Sequence, residues 1–189
     1  MSKTNQEFLA QVSRFLTFIP QEYIEALLTL QSKLDGKEIK WVVNGDLAER
    51  LRLVKVDPDC IEIVASKDGV EKIFENLKEF NPQPVKFQTQ QLTRNAVIAG
   101  KEFPVFHRSY YFDFNIKTVT IKVYGDLQFK VGNWEWGEVF DFNPEYVYVT
   151  GKKIAVTPLT IQYEFYQMLN WVDRAEKINQ ITKPLRQNS

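Results

Sequence analysis

Between residues 41 and 66 the chain reads WVVNGDLAERLRLVKVDPDCIEIVAS. The apolar run "IKWVVN" predicts a short strand that stops at the Gly45-Asp46 pair. The segment "LAERLRL" then predicts a short helix with Asp46 as its N-cap, and "CIEIVA" a second strand. Little chain is left for loops, so strand, turn, helix and strand must pack directly on one another. This is the tightest constraint in the sequence, and it carries a cost. Asp57, Asp59 and Glu62 fall beside strands that must be buried, where a carboxylate is unfavourable unless something pairs with it or uses it.

The flanking sequence supplies helices on both sides. Phe8, Leu9, Val12, Phe15 and Leu16 recur at helical spacing, Pro20 interrupts, and Tyr23, Ile24, Leu27, Leu28 and Leu30 resume, which predicts two N-terminal helices with a stop at Gly36. "KDGVEKIFENLKEF" predicts an amphipathic helix through Val70, Ile73, Phe74 and Leu77, closed by "NPQP". The middle of the chain is rich in β-branched and aromatic residues. In "TVTIKVY", Val119, Ile121 and Val123 alternate with Thr118, Thr120 and Lys122, as in a strand with one apolar and one polar face. "YVTGKKI" predicts a hairpin turning at Gly151. Helix returns at the C-terminus, with Thr157 and Pro158 as N-cap and first helical position, a stripe of Leu159, Tyr163, Tyr166 and Leu169, and an Asp173–Glu176 capping box opening the last helix.

The fold class expected is therefore α+β, in one domain spanning residues 1–189: N-terminal helices over 1–36, a sheet core over 37–156, and C-terminal helices and tail over 157–189. At 189 residues the chain is long enough to bury a substantial core. Its 24 basic and 24 acidic residues cancel, so no global field draws it to nucleic acid or an anionic membrane. Cys60 is the single cysteine and His107 the single histidine, which rules out an intramolecular disulfide and argues against cysteine-rich or histidine-based metal sites. The polar start "MSKTNQEFLAQVSRFL" matches neither a signal peptide nor a membrane anchor, and a cytoplasmic protein is the expectation.

A strand, a glycine turn into a helix, and a second strand with alternating acidic residues resemble the core of the minimal, single-domain nucleotidyltransferase-like proteins. "VVNGD" corresponds to their glycine turn and "DCIEI" to their carboxylate strand. "TVTIKVYGDL" is similar to their third active-site strand, and "GKKIAVTPLTIQYEFYQMLNWVDRAEKI" to their terminal helices, so the resemblance runs from about Ile39 to Ile178. It implies a mixed sheet of nucleotidyltransferase type with additional antiparallel strands. It also implies two carboxylates on one strand face and a third on a neighbouring strand, holding two divalent ions, with the glycine turn admitting phosphate to the helix amides.

This chain departs from that pattern at three places. Cys60 stands at the first carboxylate position with Glu62 at the second, and a neutral thiol is a poor ligand for magnesium. Lys122 lies on the polar face of "TVTIKVY", where the third carboxylate belongs. Asp46 replaces a small residue in the phosphate turn, adding negative charge and capping the amides. The resemblance thus implies a nucleotidyltransferase-like protein with an impaired catalytic site, serving as a nucleotide, anion or partner-binding module. Its site residues are Glu62 and Asp59 as catalytic remnants and Gly45, Asp46 and Lys122 as ligand-binding groups, with no metal or other cofactor expected. The alternative is an active enzyme using magnesium and a nucleoside triphosphate, with Asp59 and Glu62 joined by Asp57 or Asp113. Asp59 precedes Cys60 by one residue, so a regular strand turns it to the opposite face from Glu62, whereas a late strand start after Pro58 turns it back.

Simpler readings accompany these residues. Gly45 and Asp46 alone describe a turn and a cap, Cys60 a small buried hydrophobe, and His107 a loop or edge-strand residue. The aromatic loop "WEWGEVFDF", with Trp134, Trp136, Phe140 and Phe142, describes a cover for the core, or a protein-interaction surface centred on Trp134 and Trp136 that would make the chain a structural interaction domain. Arg108, Lys117, Lys122, Lys130, Lys152 and Lys153 form a solvated face unless several converge near Glu62.

Overall fold

The computed structural model of the chain describes residues 19–141 and 143–186; the first expected helix, Phe8 to Leu16, lies outside them, as does Phe142. Helix α1, Gln21–Leu34, starts directly after Pro20 and buries Ile24, Leu27, Leu30 and Leu34 along one stripe. It ends as its sequence directs, because Asp35 leaves the helix and Gly36 takes the left-handed φ of +68°. Strand β1 is Trp41–Asn44, helix α2 Gly45–Arg50, strand β2 Ile61–Ala65 and helix α3 Lys67–Asn76. Ser66 caps α3 by accepting from the Gly69 N–H at 3.1 Å.

Strands β3 (Lys86–Ile98), β4 (Lys101–Ile116) and β5 (Val119–Val131) form a long antiparallel meander. Strands β6 (Glu145–Val149) and β7 (Lys152–Val156) form the expected hairpin, with Gly151 at φ +81°. All join one seven-stranded sheet in the order β3-β4-β5-β2-β1-β7-β6. β2 runs parallel to β5 and β1 parallel to β7, while the other pairs are antiparallel, so the sheet is mixed. The architecture is the α+β arrangement that the sequence predicts, with helices at both ends and extra antiparallel strands.

One face of the sheet, through Val43, Ile61, Ile63, Phe112, Ile121 and Val123, packs against α1 and α3 to form the main core. Gly125 makes that approach feasible, since a Cβ there would lie 2.5 Å from Val70 Cγ2. The other face lies toward the C-terminal helices α4 (Leu159–Met168) and α5 (Val172–Arg186), whose Tyr166, Ala175 and Ile178 pack with Val54 and Val56 of the loop before β2. α4 begins one residue later than expected, with Pro158 rather than Thr157 at the N-cap. α5 instead begins earlier than an Asp173 cap predicts, at Val172, which puts Asp173 inside the first turn.

A register shift in β4–β5, between Arg108 and Tyr110, decides what lines that second face. Asp126 takes a left-handed φ of +47°, and its carboxylate accepts the Lys67 N–H at 2.9 Å. Val123 faces the core beside Phe112, but beyond the shift Leu127 and Phe129 point the other way, where Leu127 meets Val42 and Val64. His107 corrects its sequence reading. It lies within β4, an inner strand, is buried, and has its ring against Tyr124 and Phe129 at centroid distances of 6.0 and 6.3 Å.

Candidate functional site

The strand registers place Asn44, Glu62, Lys122 and Asp113 in one row across β1, β2, β5 and β4. Directly opposite residues share a face. The strand of Glu62 and the strand of Lys122 are thus neighbours, as the nucleotidyltransferase resemblance requires. Lys122 separates Glu62 from Asp113 by a full strand spacing on each side, about 4.8 Å.

Glu62 accepts a hydrogen bond from Asn44 Nδ2 at 3.2 Å. Burial raises its pKa above the ordinary carboxylate value, opposed by the charge of Lys122 and by the Asn44 bond. Lys122 acts on it through space: among the described residues the two form no ion pair within contact distance. Burial works against the Lys122 ammonium, but Cys60, Asp59 and Glu62 around it outweigh that penalty and hold its pKa above the usual lysine value. Cys60 is pushed up to about 12, by burial first and then by the Asp59 hydrogen bond and the Glu62 charge, so it is a protonated, unreactive thiol at neutral pH. Asp113 is engaged on its outer side by the Tyr111 hydroxyl, which donates to Oδ2 at 2.8 Å.

Gly45 is favoured by its backbone, and a side chain there would have to displace the end of Glu62. Its φ is +63°, and a Cβ would lie 2.6 Å from Glu62 Oε2. The turn thereby brings backbone against the Glu62 carboxylate. Asp46 is not the N-cap of α2. That position is Asn44, whose side chain makes no capping bond, and Asp46 sits one residue inside the helix with its carboxylate on the Arg174 guanidinium. The helix amides are therefore not occupied by Asp46, and its charge is answered from α5.

Arg174 also donates from Nε to Glu49 Oε2 at 2.8 Å, while the Tyr166 hydroxyl donates to Glu49 Oε1. Glu49 is 0% exposed. Burial disfavours the Arg174 charge, yet Glu49, Tyr166 and Asp46 raise its pKa above the arginine value and keep it protonated. This network ties α2 to the C-terminal helices. Gln162 Nε2 adds a further tie by donating to the Gly45 carbonyl at 3.3 Å. Sequence reasoning did not find Glu49, Tyr166, Arg174 or Gln162, whose partners lie more than 100 positions away along the chain.

These elements surround a cleft of about 530 Å³. Gly45, Asp46, Asp59, Glu62 and Lys122, all named from the sequence, line it together. β2 begins only at Ile61, so Asp59 precedes the regular strand and reaches the cleft, as a late strand start allows. Asp57 is exposed and is not part of the lining. Asp113 opens instead into a separate depression with Asn81, Asn115 and Thr120. The aromatic loop divides: Phe140 lines the cleft, Trp134 is 58% exposed, and Trp136 lies under Arg108 and Lys130 at 4.5 and 5.2 Å, with Arg108 on the sheet face opposite the cleft. The expected basic residues do not converge, since Lys122 is the only lysine or arginine among the lining residues.

A protonated thiol at Cys60 and an ammonium at Lys122 stand near Glu62, and neither is a ligand for a hard divalent cation. Among the described residues no group of three or more His, Cys, Asp or Glu side chains is arranged to hold a metal ion. Nor is any helix among them long and apolar enough to cross a membrane.

No protein-family model and no curated protein matches the sequence. The fold is similar to that of a candidate nucleotidyltransferase from Thermotoga maritima, with a TM-score of 0.64 and 23% sequence identity, covering 88% of this chain and 96% of that one. It is similar also to ANT(2'')-Ia, solved in complex with adenylyl-2''-tobramycin, with a TM-score of 0.50 and 8% identity over 86% of this chain and 89% of that one. At these identities the likeness establishes a nucleotidyltransferase-like fold.

Proposed function

We propose that this chain is a nucleotidyltransferase-fold protein that binds a nucleotide-related small molecule in the family's cleft without catalysing metal-dependent transfer. One observation carries the reading: Lys122 stands between Glu62 and Asp113 in the cross-strand row, where a divalent-ion site would need negative charge. An ammonium there repels the cation that transfer requires. Glu62 and Asp59 remain as polar groups of a binding wall, and Gly45 sets the backbone beside them. Cys60, kept as a buried thiol, suits a reducing cytoplasm.

A second reading has its own support. Asp59 lines the cleft with Glu62, so two carboxylates face one space, and an active enzyme would use that pair. The two readings separate in one experiment: nucleoside triphosphates are offered with and without magnesium or manganese, and both pyrophosphate release and melting temperature are followed. The binding-module reading expects no release and no stabilisation that depends on the metal. Metal-dependent release that disappears in Glu62→Ala would overturn it in favour of the enzyme.

A further inference from the structure

The inner end of the cleft, where the Gly45 turn meets the start of α4, holds two polar side chains with unmet hydrogen-bonding capacity. Thr157 is 0% exposed and Gln162 5% exposed, and both line the cleft. Thr157 Oγ1 and Gln162 Oε1 have no partner. The backbone groups of Thr157 are already used: its N–H goes to the Val43 carbonyl at 2.9 Å, and its carbonyl accepts from Arg52 at 3.2 Å. Gln162 is oriented by its neighbour, because the Gly45 carbonyl can only accept. The amide NH₂ must therefore face Gly45, leaving the Gln162 carbonyl oxygen as a fixed, buried acceptor. Buried polar atoms without partners are uncommon and costly.

The chemistry around these atoms narrows what would satisfy them. Asp46, Asp59 and Glu62 line the cleft against Lys122 alone, and Arg174 is consumed by Asp46 and Glu49. Among the lining residues a polyphosphate would thus meet three carboxylates and a single ammonium, with the Arg94 guanidinium laid over Trp171 at 4.5 Å. Phe129, Phe165, Tyr166 and Trp171 supply aromatic wall in the same cleft. A flat ring is therefore favoured over a highly charged chain.

We infer that this cleft selects a planar heteroaromatic ring bearing an amino group and carrying no phosphate, with the amine donating to Gln162 Oε1 and a second polar atom of the ligand meeting Thr157 Oγ1. The inference rests on the binding-module reading and specifies its ligand. A nucleobase and a nucleoside both present this chemistry.

Isothermal titration calorimetry in chelator tests it with adenine, adenosine, purine riboside, cytidine, uridine and ATP. In at least one of the pairs adenosine against purine riboside and cytidine against uridine, the amino compound should bind at least about tenfold more tightly, because a site built around a buried acceptor rejects the analogue that lacks the donor. ATP should bind at least about tenfold more weakly than adenosine, from carboxylate repulsion. Adenine binding as well as adenosine would assign the ring alone as ligand; adenosine binding more tightly would assign the nucleoside. Thr157→Val, nearly isosteric, and Gln162→Leu should each weaken the amino ligand about fivefold or more while cooperative unfolding is retained. Equal affinity within both pairs, ATP binding more tightly than adenosine, or unchanged affinity in Thr157→Val would each overturn the inference. The transfer assay judges the parent reading separately: absence of both ring binding and transfer removes this inference alone, whereas metal-dependent transfer removes the parent reading.

Discussion

At Glu49 a fully buried carboxylate is met on both oxygens, by Tyr166 and by Arg174, and the arginine is met in turn by Asp46. At Glu62, in the cleft wall, the carboxylate has a single neutral donor in Asn44, and the cation beside it in the row, Lys122, acts on it without contact. Both clusters take charge out of water, but only the first returns full hydrogen bonding for it. A completely paired buried network holds structure together, and removing one member leaves an uncompensated charge. A half-answered charge beside an open cleft retains capacity for something else. The pairing pattern therefore separates a structural clasp from a ligand-facing wall.

The comparison breaks most visibly at Arg174. Arg174→Met should cost about 3–5 kcal/mol in denaturant unfolding, the usual penalty for stripping the partner from a buried charge. Adding Glu49→Leu should recover part of the loss, because the fully buried carboxylate is then gone and only the partly exposed Asp46 is left without its partner. A single-mutant loss below about 1 kcal/mol, the scale of an exposed pair, would show that the clasp is solvated and the contrast false.

The next effect is at Gly45. Gly45→Ala forces a side chain into a left-handed conformation, at roughly 1–2 kcal/mol, and drives a Cβ into the Glu62 carboxylate. Stability should fall by at least that amount, and binding of any cleft ligand should fall with it. A neutral Gly45→Ala would mean that the turn relaxes freely and that Glu62 is not held against it.

The two clusters also differ in how far the sequence revealed them. The Glu62 row was legible because strand residues alternate with period two, which puts Lys122 on the polar face of its strand, and because the nucleotidyltransferase resemblance sets "CIEI" beside "TIKV". The Glu49 clasp was not, because Glu49 sits between the apolar Leu47 and Ala48 and the ordinary-looking Arg50, while Arg174 follows 125 positions later in a helix whose sequence names no partner for it. The orientation of Leu127 and Phe129 is hidden in the sequence for a different reason. They continue the odd-numbered apolar series of Val119, Ile121 and Val123, yet the shift at Asp126 turns them to the cleft. The Gly-Asp pair within "VYGDLQF" was the local signal for that break.

Coupling energies sharpen the contrast further. A double-mutant cycle on Glu62 and Lys122, with Glu62→Leu and Lys122→Met, should give an interaction below about 1 kcal/mol, as befits charges that influence each other without contact. The same cycle on Glu49 and Arg174 should give a larger value. Equal couplings would erase the distinction between wall and clasp.

The smallest expected effect is a pH dependence carried by Glu62. Burial holds its pKa in the folded protein above the ordinary value of 4.5. Below that ordinary value the carboxyl is protonated in both states, and the stability linked to its proton is fully present. As pH rises through the interval up to the folded pKa, the unfolded chain gives up the proton first, so the folded state binds more protons and stability declines with pH. Glu62→Gln cannot titrate. Its stability minus that of the parent protein should therefore grow more positive as pH rises through that interval and level off above it, other carboxylates cancelling in the difference. Lys122 favours the charged form of Glu62, so the same difference measured in a Lys122→Met background should be larger and should extend to higher pH. Burial raises Glu49 in the clasp as well, so the test bears on the wall alone: a difference that stays flat with pH in both backgrounds would show that Glu62 is solvated as freely as a surface carboxylate, not buried with one neutral donor.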